Sequence, residues 1–443
     1  MEKQESTSTI NRRSLLKGLG VAAASTALGM WREESHAENS NLQREKTPGK
    51  VRDNADSLVI TKVESIKFSD KINIGGGSGG DGKAEFCWVR ITTNTGIIGM
   101  GETYPSIEGE LGALRDIAAT YLIGKDPRDI DKIWKEIYKY QAMRNAGGSE
   151  MQVLSAIDMA LLDILGKSTG LPLYRLLGGK TRSKMKVYNT TTDYWAINNM
   201  KMGPDTEKIV KFLLDRDITA MKIYPFETQD EFITTEEIER GVTWLRQIDK
   251  TAGKRMEILV DNWAFSDVPS AQRIIKACEP FNVIHIEDML LPNAYQSYAK
   301  LASQTTIPIA HSETLATRYE LRDFLEAKAL GVLMFDLSWC GGITEAKKMC
   351  DMADAYHIPG SPHTCGGPLL WVASTHLTTA IPNFCYIESN YWKYTHQYPY
   401  FINNVPVPVN GYVSAPEGPG LGVEIRSELF KNGDAIVETV AKI

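Results

Sequence analysis

The sequence predicts an α/β protein in which an α+β unit precedes a parallel (β/α)8 barrel of the TIM type. Between residues 183 and 400, short apolar runs alternate with amphipathic helical stretches, about eight times, as expected of such a barrel. Residues 57–182 mix strand-like and helical patterns without that alternation. An open doubly wound sheet is the alternative, but it normally has fewer strands and a glycine-rich first turn, and no G-x-G-x-x-G opens any of these helices.

The composition is that of an ordinary globular protein. The chain has 443 residues, of which 43% are hydrophobic and 23% charged, enough for two domains or for a large barrel with an attachment. A formal net charge of −6 and a pI near 5.8 argue against nucleic acid as a partner. The six cysteines are scattered without a C-x-x-C pair, so the sequence predicts neither a zinc site nor a disulfide framework.

Residues 1–37 are predicted to be an export signal of the twin-arginine type. Arg12 and Arg13 precede a weakly apolar run of 16 residues, and small residues around Ala37 offer a cleavage site. Because the run is too short to cross a bilayer of about 30 Å, no stable membrane span is expected after cleavage. A basic amphipathic helix is the alternative. Residues 38–56 are polar and predict a disordered linker, and the mature protein is expected to be periplasmic or otherwise exported.

The α+β unit begins with two strand patterns and continues with helices. The segments SLVITKVESIKFS and EFCWVRITTNTGIIGMGE have strand-like patterns. The glycine-rich NIGGGSGGDGK between them suits a mobile lid and, equally, a flexible hairpin loop. From Glu108 onward the spacing is helical, most clearly in MQVLSAIDMALLDILGKSTG, where Gly166 and Gly170 mark the end of a helix.

The barrel strands are predicted in eight apolar runs: MKVYNT, AMKIYP, EILVD, VIHIE, IPIAH, VLMFD, IPGSPH and CYIES. Between them, helical spacing is clearest in EEIERGVTWLRQIDKTAG, VPSAQRIIKACE, RYELRDFLEAKA and ITEAKKMCDMADAY. The C-terminal ends of barrel strands surround a single mouth, where barrel enzymes have their active sites. Polar residues at these ends are therefore the candidate functional residues.

Carboxylates occur at three successive strand ends. Asp261 ends the third strand, Glu287 ends the fourth and Glu313 follows the fifth, at intervals of 26 residues. A single acid at such a place is usually a solvated loop residue. Three that converge on a barrel mouth repel one another unless a divalent cation binds, and oxygen ligands favour Mg²⁺, with Mn²⁺ as the alternative. Asp288 is expected to point away from Glu287 by strand alternation, into solvent or behind the metal ligands.

Further polar side chains at the mouth are Lys222 on the second strand and Asp336, His363 and Glu388 at the ends of the sixth, seventh and eighth. A carboxylate that accepts a hydrogen bond from an imidazole fixes its tautomer and raises its basicity. Asp336 and His363 therefore suit a general base. His311, on the fifth strand, either fills a layer of the barrel or donates a proton.

In combination, these motifs resemble the enolase superfamily, specifically its mandelate racemase and muconate lactonizing enzyme branch. The resemblance runs from about Leu58 to Glu424 and rests on GIIGMGE, AIDMALLDILGKSTGLPLYRLLGG, LVDNW, IEDML, HSET, FDLSWCGGITEAKKMC, SPHT and PGLGVEI. It implies a modified barrel under an N-terminal α+β capping domain, to which residues 401–443 return. It also implies assembly into a homo-oligomer.

For the site, the resemblance implies Mg²⁺ on the three strand-end carboxylates and the pair His363–Asp336 as the base. Glu388 would hydrogen-bond the carboxylate of the substrate. The shared chemistry of this superfamily is abstraction of the proton next to a carboxylate, with bound Mg²⁺ stabilising the doubly charged enediolate.

Two positions depart from the family pattern. Racemases and lactonizing relatives have Lys-x-Lys on the second strand, whereas here Lys222 is followed by Tyr224 at the place of the second lysine. Trp263 stands where some acid-sugar dehydratases have a histidine. A racemase with two bases is therefore disfavoured. In a reaction with one base, His363 would remove the proton, Lys222 would contact the carboxylate and Tyr224 would be a weak acid.

The predicted function is thus that of a Mg²⁺-dependent dehydratase, a carbon–oxygen lyase, that converts an aldonic or aldaric acid into a 2-keto-3-deoxy acid. Epimerisation and cycloisomerisation are alternatives within the family, and a non-catalytic acid-sugar binding protein is the alternative outside it. The candidate substrate-binding residues, besides Lys222, are Tyr104, Arg144, Asn262 and His311.

Overall fold

The computed structural model describes residues 57–72, 84–105, 107–143, 147–191, 197–226, 232–264, 266–311 and 313–443. The expected signal and linker, the glycines at 75–82 and Arg144 lie outside the described residues. All elements below belong to one unit, Ser57–Ile443.

The strands, in chain order, are β1 (Ile60–Phe68), β2 (Cys87–Thr93), β3 (Ile98–Thr103), β4 (Met185–Thr190), β5 (Ala220–Ile223), β6 (Glu257–Asp261), β7 (Val283–Glu287), β8 (Ile309–His311), β9 (Val332–Phe335), β10 (Gly360–Pro362), β11 (Ile387–Ser389), β12 (Ile402–Asn403), β13 (Tyr412–Val413), β14 (Glu424–Ile425) and β15 (Ala435–Lys442).

The helices are α1 (Ile107–Tyr121), α2 (Ile130–Ala142), α3 (Ser149–Thr169), α4 (Leu173–Leu176), α5 (Thr206–Leu214), α6 (Thr235–Ala252), α7 (Val268–Cys278), α8 (Tyr295–Ala302), α9 (Thr317–Glu326), α10 (Gly342–Asp354), α11 (Pro368–Ala380), α12 (Tyr398–Phe401) and α13 (Glu428–Lys431). A 3₁₀ turn, Gly253–Arg255, follows α6, and a π-helical turn, Lys393–Gln397, precedes α12. No helix among the described residues has both the length and the hydropathy to cross a bilayer.

The cap is an antiparallel sheet covered by helices. Its strand order is β15-β1-β2-β3, and β15 pairs along β1 with Phe68 opposite Ala435. Helix α3 packs on β3 so closely that a Cβ on Gly101 would overlap the carbonyl oxygen of Ala156. As the sequence predicts, α3 ends at Gly170, whose φ of 73° is the left-handed conformation that glycine favours after a helix.

The barrel consists of the parallel strands β4 to β11. Their order is β10-β9-β8-β7-β6-β5-β4-β11, and a bridge between Gly360 and Phe384 joins the two ends. All eight predicted strands are present, and among the described residues seven helices, α5 to α11, lie between them. The barrel is therefore modified, with no barrel helix after β11 in the described part of the chain. The predicted fold class, a modified barrel with an α+β cap, is confirmed.

Burial explains the local sequence patterns. All four residues of β9 are buried, because helices cover the barrel outside and side chains fill it inside. Helix α6 buries one face, including Val242 and Leu245, and Thr234 and Glu237 form a capping box at its start. Helix α11 is buried on every side. It contacts barrel strands and β3 of the cap, which accounts for its lack of charged residues.

Glu102, in β3, joins the cap to the barrel. Its buried carboxylate accepts backbone N–H groups at the start of α11, from Gly367 at 2.7 Å, Leu369 at 3.0 Å and Leu370 at 3.2 Å. It also accepts the indole N–H of Trp88 at 3.0 Å. Burial raises the pKa of Glu102 to about 7, although these four donors oppose the rise. The N-terminus of a helix favours an anion, so the carboxylate holds the cap against α11.

Two glycine substitutions are expected to have opposite effects on stability, because Gly101 lies in the close contact between β3 and α3 and Gly112 does not. Gly101→Ala is expected to destabilise the protein by about 3 kcal/mol, because its Cβ would force β3 and α3 apart. Gly112→Ala, in α1, meets no atom within 4 Å and is expected to stabilise it by about 0.5–1 kcal/mol through helix propensity. Thermal denaturation of the two variants checks this. Equal melting temperatures would contradict the packing argument.

Candidate active site

Lys222 lies at the centre of a buried cluster at the strand ends. Its Nζ is 2.9 Å from Oε1 of Glu287, 3.1 Å from Oδ2 of Asp261 and 3.2 Å from Oε1 of Glu388. All four side chains are at most 2% exposed. Burial opposes the charge of Lys222, but Glu287 and Glu388 raise its pKa well above the usual lysine value. Lys222 is therefore a fixed cation that offsets part of the repulsion among the acids.

The acids are not fully compensated by Lys222. Burial raises the pKa of Glu287, but Lys222 and His285 outweigh it and lower the pKa to about 2. By contrast, burial and the charge of Glu287 raise the pKa of Asp261 to about 7. Burial also raises the pKa of Glu313 well above its usual value, and neighbouring carboxylates add to the rise. For Asp261 and Glu313, burial and the neighbouring carboxylates thus outweigh the nearby positive charge of Lys222 and His363.

The donor set fits a hard divalent cation. Carboxylate oxygens of Glu287, Asp288 and Glu313 lie within 4.8 Å of one another. Oε2 of Glu287 is buried and accepts no hydrogen bond from the described residues, and Nε2 of His285 is 3.6 Å away. A buried oxygen without a donor calls for a partner such as an ion. Because all these donors are oxygens, they suit Mg²⁺ or Mn²⁺.

The prediction that Asp288 points away from Glu287 is wrong. Strand β7 ends at Glu287, and Asp288 has a φ of 44°, in the left-handed region, so the strand alternation stops there. The carboxylate of Asp288 is buried with the other acids and pairs with Nδ1 of His311. The His311 ring stacks on Tyr298, with ring centroids 4.4 Å apart. His311 thus supports an acid of the cluster from behind.

The structure brings His363 and Asp336 together. Nδ1 of His363 is 2.7 Å from Oδ2 of Asp336, and its Nε2 faces the acids, 3.4 Å from Oε2 of Glu313 and 3.9 Å from Oε2 of Glu388. Burial opposes a charge on His363, but Glu313, then Cys365 and Glu388, raise its pKa well above the usual histidine value. One ring nitrogen is anchored and the other faces the cluster, which is the geometry of a general base.

Glu388 is held from three sides besides Lys222. Its Oε2 accepts the backbone N–H of Thr364 at 2.7 Å, its Oε1 accepts the hydroxyl of Thr190, and the thiol of Cys365 is 3.7 Å from Oε1. Burial raises the pKa of Glu388, but Lys222 and His363 outweigh it and lower the pKa. An ionised Glu388 can only accept hydrogen bonds. It can therefore contact a substrate carboxylate directly only if one of the two carboxyl groups carries a proton.

The remaining candidates have different surroundings. Tyr224 follows β5, with its ring centroid 5.9 Å from Nζ of Lys222, and burial and Asp261 raise its pKa well above the usual value. Asn262 donates to Oγ of Ser266 at 2.7 Å. Arg144 lies outside the described residues.

Tyr104 has a position that the sequence does not predict. It is a substrate-binding candidate from the sequence, but it is 6% exposed, and its Oη is 2.7 Å from Oδ2 of Asp336. A tyrosine shortly after a cap strand carries no sequence signal for a contact with a barrel residue so far along the chain. Only the docking of the two domains brings the residues together.

Comparison with known families agrees with this architecture. Residues 71–178 match the mandelate racemase / muconate lactonizing enzyme N-terminal domain, and residues 206–429 match the enolase C-terminal domain-like family. The chain belongs to the enolase superfamily. The resemblance inferred from the sequence motifs is therefore confirmed.

Curated members of the superfamily that the chain resembles include dehydratases. It is 32% identical to a D-galactonate dehydratase of Ralstonia nicotianae over 351 residues, 77% of this chain and 89% of that protein. It is 33% identical to a D-galactonate dehydratase of Pectobacterium atrosepticum over 355 residues, again 77% of this chain and 89% of that protein.

Solved structures of the superfamily match most of the chain. One is an enolase of the mandelate racemase subgroup from Agrobacterium tumefaciens, with 33% identity, a TM-score of 0.76 and coverage of 87% of this chain and 100% of that one. Another is a member of the enolase superfamily from Salmonella Typhimurium, with 28% identity, a TM-score of 0.80 and coverage of 87% and 100%.

The excess negative charge predicts that Mg²⁺ stabilises the fold. Mg²⁺ at 100 times its dissociation constant is expected to add about 2.7 kcal/mol to the free energy of unfolding. Glu313→Gln removes a candidate ligand and should reduce this gain, whereas Glu326→Gln, an exposed acid, should retain it. Melting temperatures with Mg²⁺ and with a chelator measure the gain. An undiminished gain in Glu313→Gln would contradict the assignment.

Proposed function

We propose that the protein is a Mg²⁺-dependent acid-sugar dehydratase that forms a 2-keto-3-deoxy acid. The observation that carries this proposal is the direction of His363, whose Nδ1 is anchored on Asp336 while its Nε2 faces a buried acid cluster. The names of the relatives, D-galactonate dehydratase, support the acid-sugar class. They also agree with the prediction of a carbon–oxygen lyase.

In the proposed reaction, Nε2 of His363 takes the proton next to the substrate carboxylate, and the electrons left behind expel the β-hydroxyl. The departing oxygen receives a proton and leaves as water, and the resulting enol becomes the ketone. Asp336 keeps the Nδ1–H of the imidazole directed away from the substrate, so that the Nε2 lone pair is available. Asp261, Glu287 and Glu313 would hold Mg²⁺, with Asp288 beside Glu287 and Glu313, and the ion would supply positive charge for the negative charge that develops on the substrate carboxylate.

Dehydration is favoured over epimerisation because the structure offers no suitable second base in the described part of the mouth. Lys222 is paired with three carboxylates, and its raised pKa keeps it protonated. Tyr224 likewise keeps its proton, since burial and Asp261 raise its pKa. Either Tyr224 or the protonated His363 can supply the proton for the departing hydroxyl. Trp263 cannot do so in place of the histidine that some acid-sugar dehydratases have at its position, because its indole N–H is not acidic enough.

A mass-resolved screen of aldonic and aldaric acids, D-galactonate included, with Mg²⁺ in D₂O tests the proposal. Wild type should give a product lighter by one water, and His363→Ala should lower the rate at least about 10²–10⁴-fold, the usual contribution of a general base. His357→Asn is the matched control, because His357 is exposed and its φ of 60° is tolerated by asparagine. Deuterium in recovered substrate without loss of water would instead indicate an epimerase.

We also propose, from the sequence, that residues 1–37 export the protein by the twin-arginine route. Replacing Arg12 and Arg13 together by lysine should leave the precursor in the cytoplasm, because the paired arginines are the recognition element. Fractionation of cells that express wild type and the double variant measures this. Equal export of both would exclude the route.

A further inference from the structure

Tyr104 forms a closed triangle of polar contacts with the two residues of the base. Its Oη lies 2.7 Å from Oδ2 of Asp336 and 3.2 Å from Nδ1 of His363, and that Nδ1 is itself 2.7 Å from Oδ2 of Asp336. One carboxylate oxygen of the barrel therefore meets both an imidazole and a phenol, and the phenol comes from the cap.

The direction of these hydrogen bonds follows from the groups involved. Burial and the charge of Asp336 raise the pKa of Tyr104 well above its usual value, so the hydroxyl keeps its proton and donates it to Asp336. The Nδ1–H of His363 donates to the same oxygen. The other oxygen of Asp336 accepts the backbone N–H of Ser338 at 2.7 Å. The carboxylate is thus held by three donors, which fix its plane.

The ring of Tyr104 is fixed as firmly as its hydroxyl. It packs against Trp339 with ring centroids 5.0 Å apart, and Trp339 in turn lies 5.4 Å from the His363 ring. The indole N–H of Trp339 donates to the carbonyl oxygen of Tyr104 at 2.8 Å. On another side, a Cβ on Gly366 would lie only 2.8 Å from the tyrosine ring. These contacts leave the ring little freedom to move.

Tyr104 and Glu102 hold the same barrel segment at two points. Glu102 accepts N–H groups of Gly367 and of the first turn of α11, whereas Tyr104 contacts His363, four residues before Gly367. The two cap residues are two positions apart at the end of β3, so side chains from one edge of the cap reach both parts of the segment. The segment that carries the base is therefore clamped by the cap.

We propose that Tyr104 is a positioning residue for the general base: its hydroxyl orients Asp336 and, through Asp336, the imidazole of His363, so that proton abstraction depends on the docked cap. This inference rests on the proposed dehydration. It assigns to Tyr104 a role in the chemical step instead of the role in substrate binding expected from the sequence.

Tyr104→Phe tests the role, because it removes the hydroxyl and keeps the ring that packs on Trp339. We expect kcat and the rate of exchange of the α-proton with D₂O to fall about 10- to 100-fold, with KM changed less than about 2-fold, as for loss of a group that orients a catalytic residue. Tyr398→Phe is the matched control, since its buried hydroxyl donates to the carbonyl oxygen of Gly366 at 3.5 Å and, within the described residues, forms no hydrogen bond with His363 or Asp336. It should retain wild-type rates.

Wild-type kcat in Tyr104→Phe would overturn the inference, and so would an effect confined to KM, which indicates substrate binding. A measurement without substrate distinguishes failure of the positioning role from failure of the proposed function. In ¹H–¹⁵N spectra of the full chain with Mg²⁺, the Nδ1–H signal of His363, assigned by its loss in His363→Ala, should shift or broaden in Tyr104→Phe but not in Tyr398→Phe. If wild type turns over no acid sugar, the dehydratase proposal fails, and an unchanged signal in Tyr104→Phe overturns the positioning role.

Discussion

Repulsion among buried carboxylates is the constraint on which the mouth of the barrel depends. Removing such charges from water costs several kcal/mol each unless they are paired. Lys222 pairs with Glu287, Asp261 and Glu388, yet the pKa values of Asp261 and Glu313 are still raised, because burial and neighbouring carboxylates outweigh the positive charge near them. A divalent cation would complete the balance, so the electrostatics of the cluster support the proposed metal requirement.

The base is coupled to the same balance. Burial lowers the pKa of His363, and Glu313, whose Oε2 lies 3.4 Å from Nε2 of His363, is the main charge that raises it. A cation bound to Glu313 would weaken that effect and favour the neutral imidazole that the proposed proton abstraction needs. The barrel thus supplies the acids and the proposed base, while the cap, through Glu102 and Tyr104, contacts Asp336 and the segment on which His363 lies.

Local sequence patterns predict those parts of the fold and site that depend on local structure. The eight barrel strands and the end of α3 were predictable because the spacing of hydrophobic residues and the glycine that ends a helix are features of a few neighbouring residues. The acids at successive strand ends were predictable as a group, because a barrel brings strand ends together. Asp288 was not, since its left-handed backbone, which local alternation cannot foresee, turns its side chain toward the cluster. Tyr104 was not, because its contacts cross between two domains.

The pairing of β15 with β1 has a consequence for biosynthesis. About 370 residues separate the two strands, so at roughly 5–20 residues per second the ribosome needs about 20–70 s between them. During this interval β1 is an open sheet edge, and such edges template aggregation. The sheet of the cap can therefore close only after the C-terminus has been made, so the cap that holds Tyr104 beside His363 is complete only after the barrel has been translated.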